Sequence, residues 1–337
     1  MSVNNSSSPV PWCFTSASYS KISDAAKYTT YFGLMPVYVV IGIFGQVVCL
    51  IAFRKQAKKE AAYCYQVYLA VAKTIEMSTF AFFSLTCKWL SDIDGSGALW
   101  YMSSYALTWI SAHVSIPLMN WSFCFSLFIS IAMSADRVFG LWKPMAYKKR
   151  TSRSPQYIAL GVSIVLGFII SVLDCFRFYV FWTDGRYVRK VDQTFVASPL
   201  AAGFANLKTL TRCTAVLVLL ILNFVILRLY HLKVIKQAVK VFNNNNEREQ
   251  RRRANEKSLT VLTIVQSLVT ICAILPLTVY YAIVFISPPF STCPGPLVAT
   301  IADGILEISE MTNLGFLLIA CKSFRSMARN VLRSGST

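Results

Sequence analysis

The chain has 337 residues, of which 55% are hydrophobic and only 14% are charged, and its mean hydropathy is +0.52. Because soluble domains carry about 25% charged residues, this composition excludes an ordinary soluble domain and indicates a chain solvated by lipid. The net charge of +18 suits either nucleic-acid binding or basic cytoplasmic loops, and the positions of the charges decide between the two.

Seven apolar segments are long enough to cross a bilayer, which takes about 20 residues in a helix. We call them spans one to seven, and they cover Tyr31–Phe53, Tyr63–Trp89, Tyr105–Ala135, Tyr157–Trp182, Thr209–Tyr230, Ser258–Ile286 and Leu297–Ala320. The segments that follow spans one, three, five and seven are rich in Lys and Arg. The positive-inside rule therefore places the N-terminus outside and the C-terminus inside.

The predicted fold is an all-α membrane bundle of seven transmembrane helices in a multi-pass plasma-membrane protein. Residues 1–30 form an extracellular tail, residues 31–320 form the bundle, and residues 321–337 form a cytoplasmic tail with a short amphipathic helix. The basic run Arg251–Arg253 lies between two spans, so topology accounts for it and no nucleic-acid partner is expected. Asn4 and Asn5 begin Asn-x-Ser motifs in the outer tail and are glycosylation candidates.

The end of span three carries the most informative motif. It reads Asp136-Arg137-Val138, with Pro144 further along, and it resembles the D-R-Y-x-x-x-x-x-P pattern of rhodopsin-like G-protein-coupled receptors. An Arg near the membrane boundary can reach water, and an adjacent acid can hold it in a releasable pair. The resemblance implies a heterotrimeric G protein and an extracellular ligand as partners. An ordinary boundary ion pair remains the alternative.

Other family positions match only in part. Pro276 fits the kink proline of span six, and Asn313 retains the Asn of the family's N-P-x-x-Y motif. Lys73 stands where the family has an acid in span two. The resemblance thus implies a divergent member with an altered helix-core switch.

The disulfide that usually ties helix three to the second outer loop is expected to be absent. Ala112 stands at the helix-three position, and the loop Thr183–Ser198 contains no Cys. Cys13 and Cys293 are both predicted to be extracellular and are a candidate pair.

Lys73 is the most unusual residue, because a Lys at mid-bilayer costs about 2.5–3.5 kcal/mol unless it is paired. Glu76 lies on the same helix face, and span seven carries Asp303, Glu307 and Glu310 on one stripe. We predict a Lys73–Glu310 ion pair, with Glu76 or Glu307 as a second partner. A purely structural pair with no role in switching remains open.

The ligand is constrained by two substitutions. Met119 occupies the position of the Asp of amine receptors, and a position near Glu307 corresponds to the retinal-binding Lys of opsins, so neither class is expected and no cofactor is implied. Candidate ligand-binding residues are Met119, Asp303, Glu307 and Arg212. Span five is loosely similar to invertebrate neuropeptide receptors of the FMRFamide type, so a peptide is one candidate ligand, and a chemosensory cue is equally compatible.

Rival functions come from other classes. Intramembrane charges also mark transporters and channels, and the substituted switch positions allow a receptor-like protein that does not signal. An enzyme is not expected, since His113 and His231 are the only histidines and no H-E-x-x-H motif is present. No Cys spacing suggests a metal site.

Overall fold

The computed structural model describes residues 35–57, 63–80, 104–149, 153–183, 185–238 and 247–286, with isolated positions between 21 and 33, between 297 and 308, and at 325. Helices occur in spans one to six, with bounds Met35–Ala57, Tyr63–Phe80, Tyr105–Trp142, Ser154–Ser171, Pro199–Ala238 and Glu247–Ile286. Among the described residues, four helices are long and apolar enough to cross a membrane: Tyr105–Trp142, Ser154–Phe176, Pro199–Leu232 and Lys257–Ile283. Most of span seven lies outside the described residues.

Span three is the central helix, and it packs against spans two, four, five and six. Its buried side repeats Ser at every fourth position, at Ser122, Ser126, Ser130 and Ser134, none of which is more than 1% exposed. Small side chains of this kind let neighbouring helices approach closely in a membrane. The Ser134 hydroxyl lies 3.1 Å from that of Ser267 in span six. A polar contact therefore joins spans three and six in the core.

Apolar side chains fill the remaining space between the helices. One buried cluster joins spans one, two and six and includes Phe53, Tyr63 and Leu262. The opposite faces of spans four and five are apolar and exposed, for example at Val165, Phe168, Leu217, Ile221 and Phe224. Because large exposed apolar faces are unfavourable in water, these faces suit contact with lipid.

Spans three and four pack closely because span four has a glycine at their contact. A Cβ atom on Gly167 would lie 3.2 Å from Cδ1 of Trp121 and 3.3 Å from its carbonyl oxygen. The Trp121 indole also donates a hydrogen bond of 3.2 Å to the carbonyl of Ile164. By contrast, a Cβ atom on Gly161 would meet nothing within 4 Å.

The prediction that span four continues to Trp182 was wrong. The helix ends at Ser171, a 3-10 turn covers Val172–Phe176, and the strand β1 follows at Phe178–Thr183. Strand β1 pairs antiparallel with β2, Arg186–Val191. The aromatic and β-branched side chains of β1 raise hydropathy but favour a strand.

A tight turn closes this hairpin. Gly185 lies between the two strands with a φ of 77°, and the sequence Asp184-Gly185 is typical of a two-residue hairpin loop. The second outer loop therefore contains a hairpin, followed by a short helix at Gln193–Val196.

Spans five and six are longer than predicted. Their helices begin at Pro199 and Glu247, rather than at Thr209 and Ser258. Hydropathy marks only the apolar part of a helix, and polar flanks extend it beyond the hydrocarbon.

Candidate functional site

The end of span three holds a closed polar cluster on the side predicted to be cytoplasmic. The helix continues to Trp142, so Asp136 and Arg137 lie within it, and they are only 7% and 8% exposed. Nη2 of Arg137 lies 3.3 Å from Oδ2 of Asp136. It also donates a hydrogen bond of 2.6 Å to the hydroxyl of Tyr147, which in turn donates one of 2.8 Å to Oδ2 of Asp136. Each of the three groups therefore contacts the other two.

Local sequence positions Tyr147 against the helix. Pro144 begins a short helix, Pro144–Lys149, after a break at Lys143. A Cβ atom on Gly140 would lie 3.5 Å from the Tyr147 ring, so the small residue at Gly140 leaves space for that ring. The guanidinium carbon of Arg137 lies 5.4 Å from the ring centroid. Sequence reasoning identified Asp136, Arg137 and Pro144 but missed Tyr147, because the motif does not extend to that position.

A second polar cluster lies in the core of span two. Nζ of Lys73 lies 3.0 Å from Oε2 of Glu76, and the two side chains are 3% and 8% exposed. The ammonium also lies 5.8 Å from the ring centroid of Phe123 in span three. The structure thus brings together Lys73 and Glu76. The predicted partner Glu310, like Asn313, lies outside the described residues.

Span six contains the predicted kink proline. Pro276 lies inside the helix Glu247–Ile286, where it removes one backbone donor and clashes with the preceding turn. Such a position weakens the helix locally and permits bending.

The outer half of the bundle contains a cavity of ≈ 270 Å³ lined by residues of spans three, four, five and six and of the short helix Gln193–Val196. Its apolar lining includes the aromatic side chains of Phe195, Phe204 and Tyr281. Its polar lining consists mainly of Asn120, Asp174, Arg177, Lys208, Thr209 and Arg212. A cavity with apolar walls and a few polar groups is typical of a ligand site.

Three of these polar groups form one network. Nζ of Lys208 pairs with Oδ2 of Asp174, and Nδ2 of Asn120 donates a hydrogen bond of 2.8 Å to the same oxygen. The Asp174 carboxylate thereby joins spans three and five to the end of span four. Asp174 owes its place to the 3-10 turn Val172–Phe176, which carries the side chain into the bundle, where it is 4% exposed.

Arg212 lies one helical turn from Lys208 on span five. Its guanidinium carbon is 5.2 Å from the ring centroid of Phe123 and 5.1 Å from that of Tyr281. Its Nε atom is buried and has no hydrogen-bond partner among the described residues.

The predicted ligand residues divide into three groups. Arg212 lines the cavity, whereas Met119 is half-buried beside Asn120 and is not among the described lining residues. Asp303 and Glu307 lie outside the described residues. Asn120, Asp174 and Lys208 were not predicted as a site, although polar residues within or beside apolar spans can indicate one.

The outer hairpin and the 3-10 turn that precedes it are each held to span three by a polar contact. Nδ1 of His113 lies 2.6 Å from the carbonyl oxygen of Cys175, and Nη1 of Arg189 in β2 donates a hydrogen bond of 3.2 Å to the hydroxyl of Ser111. Ala112 is fully buried between these contacts. Ser111 and His113 both lie in the π-helical segment Ser111–Ser115.

The six cysteines in the described part of the chain are all free. The candidate pair Cys13 and Cys293 and the glycosylation candidates Asn4 and Asn5 lie outside that part. No group of His, Cys, Asp or Glu that could hold a metal ion occurs among the described residues.

No protein-family model matches the chain. A probable G-protein coupled receptor of Caenorhabditis elegans is 28% identical over 158 residues, which are 47% of this chain and 33% of that protein. The matched part therefore spans about a third of the curated relative's length. The crystal structure of squid rhodopsin matches with a TM-score of 0.67 at 13% identity, over 96% of this chain and 88% of that one.

Neither relative is named as an enzyme. The rhodopsin match confirms the predicted seven-helix bundle, and the nematode relative agrees with the predicted resemblance to G-protein-coupled receptors. The chain is a multi-pass membrane protein with the fold of rhodopsin-like receptors, and its sequence is divergent from them.

Proposed function

We propose that the chain is a plasma-membrane receptor that transmits the binding of an extracellular ligand to a heterotrimeric G protein. One observation carries the proposal: span three has a polar cavity near its outer end and the closed Asp136–Arg137–Tyr147 cluster at its other end. Asn120 and Arg137 lie about 25 Å apart along the helix, at 1.5 Å per residue. Ligand and G protein would thus act on opposite ends of one central helix.

The contacts around span three suggest how the two ends are coupled. A ligand in the outer cavity would touch spans three, four, five and six, whose side chains line it. Span six is joined to span three by the Ser134–Ser267 contact and contains Pro276 within its helix, a position that permits bending. A ligand that binds one arrangement of these spans more tightly shifts the population toward that arrangement. Separation of Arg137 from Tyr147 and Asp136 would then open the cytoplasmic face.

The ligand class is a peptide or a chemosensory cue. The mixed charge of the outer cavity supports a ligand with polar groups, and the loose similarity of span five to neuropeptide receptors favours a peptide. Signalling through a G protein agrees with the nematode relative, which is a probable G-protein coupled receptor.

The test is a peptide-library screen on cells that express the full chain together with a promiscuous G-protein reporter. We expect a ligand-dependent response that Arg137→Ala abolishes while surface expression is unchanged. Arg54→Ala is the matched control, because it removes an exposed Arg near the end of the span-one helix, on the side predicted to be cytoplasmic. Equal responses of wild type and Arg137→Ala would contradict the proposal.

A transporter or channel is the second candidate, and the buried Lys73–Glu76 pair is the observation that favours it, because intramembrane charges also line ion paths. It predicts ion or solute flux in the absence of any G protein, with loss of that flux in Lys73→Met. Flux without a G-protein response would reverse the assignment. A surface-expressed chain that gives neither signal would fit a non-signalling receptor-like protein.

A further inference from the structure

The outer cavity carries an excess of positive charge among its described residues. Arg177, Lys208 and Arg212 line it together with one carboxylate, that of Asp174. The Asp174 carboxylate already pairs with Lys208 and accepts a hydrogen bond from Asn120. The cation of Lys208 is therefore compensated within the cavity wall.

Arg212 differs from Lys208 in its surroundings. Its guanidinium lies between the rings of Phe123 and Tyr281, at 5.2 and 5.1 Å, and no described acidic side chain forms an ion pair with it. Its buried Nε atom lacks a hydrogen-bond partner among the described residues. A desolvated polar donor without a partner is unfavourable, so an anion that accepts from this guanidinium would be stabilised.

We propose that the cavity binds the carboxylate of its ligand on Arg212, with the apolar part of the ligand against Phe195, Phe204 and Tyr281. The inference rests on the proposed receptor function and names the chemical class of its ligand. Planar guanidinium groups bind carboxylates through two parallel hydrogen bonds. The aromatic rings that flank Arg212 hold the group in place and restrict access of water.

The size of the cavity limits the ligand. At ≈ 270 Å³ it lies just below the usual range for drug-sized ligands, about 300–1,000 Å³. It suits a small aliphatic or aromatic acid, or the carboxyl end of a peptide, and these two sources share the same recognised chemistry.

The experiment measures the thermal stability of the purified full chain in lipid nanodiscs. The probes are phenylacetate, hexanoate and N-acetylphenylalanine, each compared with its primary amide. We expect the acids to raise Tm in a concentration-dependent manner and the amides to leave it unchanged. A response to N-acetylphenylalanine alone identifies a peptide end, and a response to the small acids identifies a free organic acid.

Variants test whether Arg212 carries the binding. Arg212→Gln is expected to weaken acid binding about 10- to 100-fold, as for loss of a hydrogen bond to a charged group, while Arg212→Lys retains part of it. Arg228→Gln is the matched control, because Arg228 lies on the same helix and is exposed. Asp174→Asn has nearly the same shape and leaves the charge of Lys208 uncompensated, so acid binding should become tighter.

Three results would overturn the inference: equal Tm shifts with acids and amides, unchanged acid binding in Arg212→Gln, or no shift of the wild type with any acid. The gain expected in Asp174→Asn keeps the test informative if Arg212→Gln folds poorly, since a misfolded protein does not gain affinity. The assay contains no G protein. A chain that couples to a G protein but binds no acid contradicts only this inference, and a chain that binds acids without coupling contradicts only the receptor function.

Discussion

The hydroxyl of Tyr147 lies 2.6 Å from Nη2 of Arg137, so a residue of the short helix after span three closes the charged motif at the end of that span. The same hydroxyl donates to Asp136 at 2.8 Å. Charge-assisted hydrogen bonds are stronger than neutral ones. Tyr147 therefore stabilises the observed position of Arg137.

Tyr147→Phe is expected to raise ligand-independent nucleotide exchange on the G protein. The change removes the bridging hydroxyl but keeps the ring against Gly140. Loss of a hydrogen bond worth about 0.5–1.5 kcal/mol corresponds to a roughly two- to tenfold change in the equilibrium between closed and open states. Tyr157→Phe, on the exposed face of span four, is the control and should have no effect. Nucleotide exchange that stays at the wild-type level in Tyr147→Phe would contradict a role of the Tyr147 hydroxyl in holding Arg137.

The Lys73–Glu76 pair should show strong coupling in a double-mutant cycle. Lys73→Met leaves the carboxylate of Glu76 in the core, and removal of one partner of a buried pair costs about 3–5 kcal/mol. Replacing both, as in Lys73→Met/Glu76→Leu, should destabilise less than the sum of the two single changes. Thermal unfolding in nanodiscs measures this cycle.

Glu310→Gln in the same cycle tests the proposed Lys73–Glu310 pair. If the substitutions at Lys73 and Glu76 lowered Tm additively, the result would contradict an energetic role of their contact. If the substitutions at Lys73 and Glu310 were additive, the result would contradict the proposed Lys73–Glu310 pair.

Gly167→Ala should destabilise the bundle, because the added methyl group would lie 3.2 Å from the Trp121 side chain and 3.3 Å from its carbonyl oxygen. Overpacking of this kind costs about 1–3 kcal/mol. Gly161→Ala on the same helix is the matched control, since its methyl group would meet nothing within 4 Å and Ala favours a helix over Gly by up to about 1 kcal/mol. Equal Tm values for the two variants would contradict the close approach of spans three and four.

The outer hairpin should loosen when the polar contacts that hold it and the preceding 3-10 turn to span three are removed. Arg189→Ala deletes the hydrogen bond to Ser111, and His113→Ala deletes the contact with the carbonyl of Cys175. Hydrogen exchange of the amides in β2 should become faster in both variants, while exchange in span three below Pro117 stays unchanged. Lys190→Ala, a neighbouring exposed position, serves as the control. Unaltered exchange would show that other contacts hold the hairpin.

Hydropathy predicted the bundle because a helix that crosses a bilayer needs about 20 predominantly apolar residues. It misassigned Phe178–Trp182, since aromatic and β-branched residues are apolar both in a span and in a strand. The Asp184-Gly185 pair was the signal that separates the two, because it favours a two-residue hairpin loop. The first residues of the span-five and span-six helices, Pro199 and Glu247, were not predicted, because each helix begins before its apolar segment.

Site residues were predicted from the sequence where they belong to a known motif or are charged residues within an apolar segment. Asp136, Arg137 and Lys73 fall in this class, and the i, i+3 spacing identified Glu76 as a neighbour of Lys73. Tyr147 and Asp174 were not identified as site residues, because their positions depend on a helix break and on a 3-10 turn. Such local backbone features bring distant side chains together, and spacing along the sequence does not encode that contact.

Reconstituted nucleotide exchange tests the receptor assignment most directly. The wild type, Tyr147→Phe, Arg137→Ala and the double variant would be purified, incorporated into nanodiscs at equal amounts, and mixed in turn with purified heterotrimers of each Gα family. We expect at least one heterotrimer to exchange nucleotide faster with Tyr147→Phe than with wild type, and the increase to vanish in Tyr147→Phe/Arg137→Ala. An increase that persists without Arg137, or no exchange above the protein-free rate with any heterotrimer, would contradict the account.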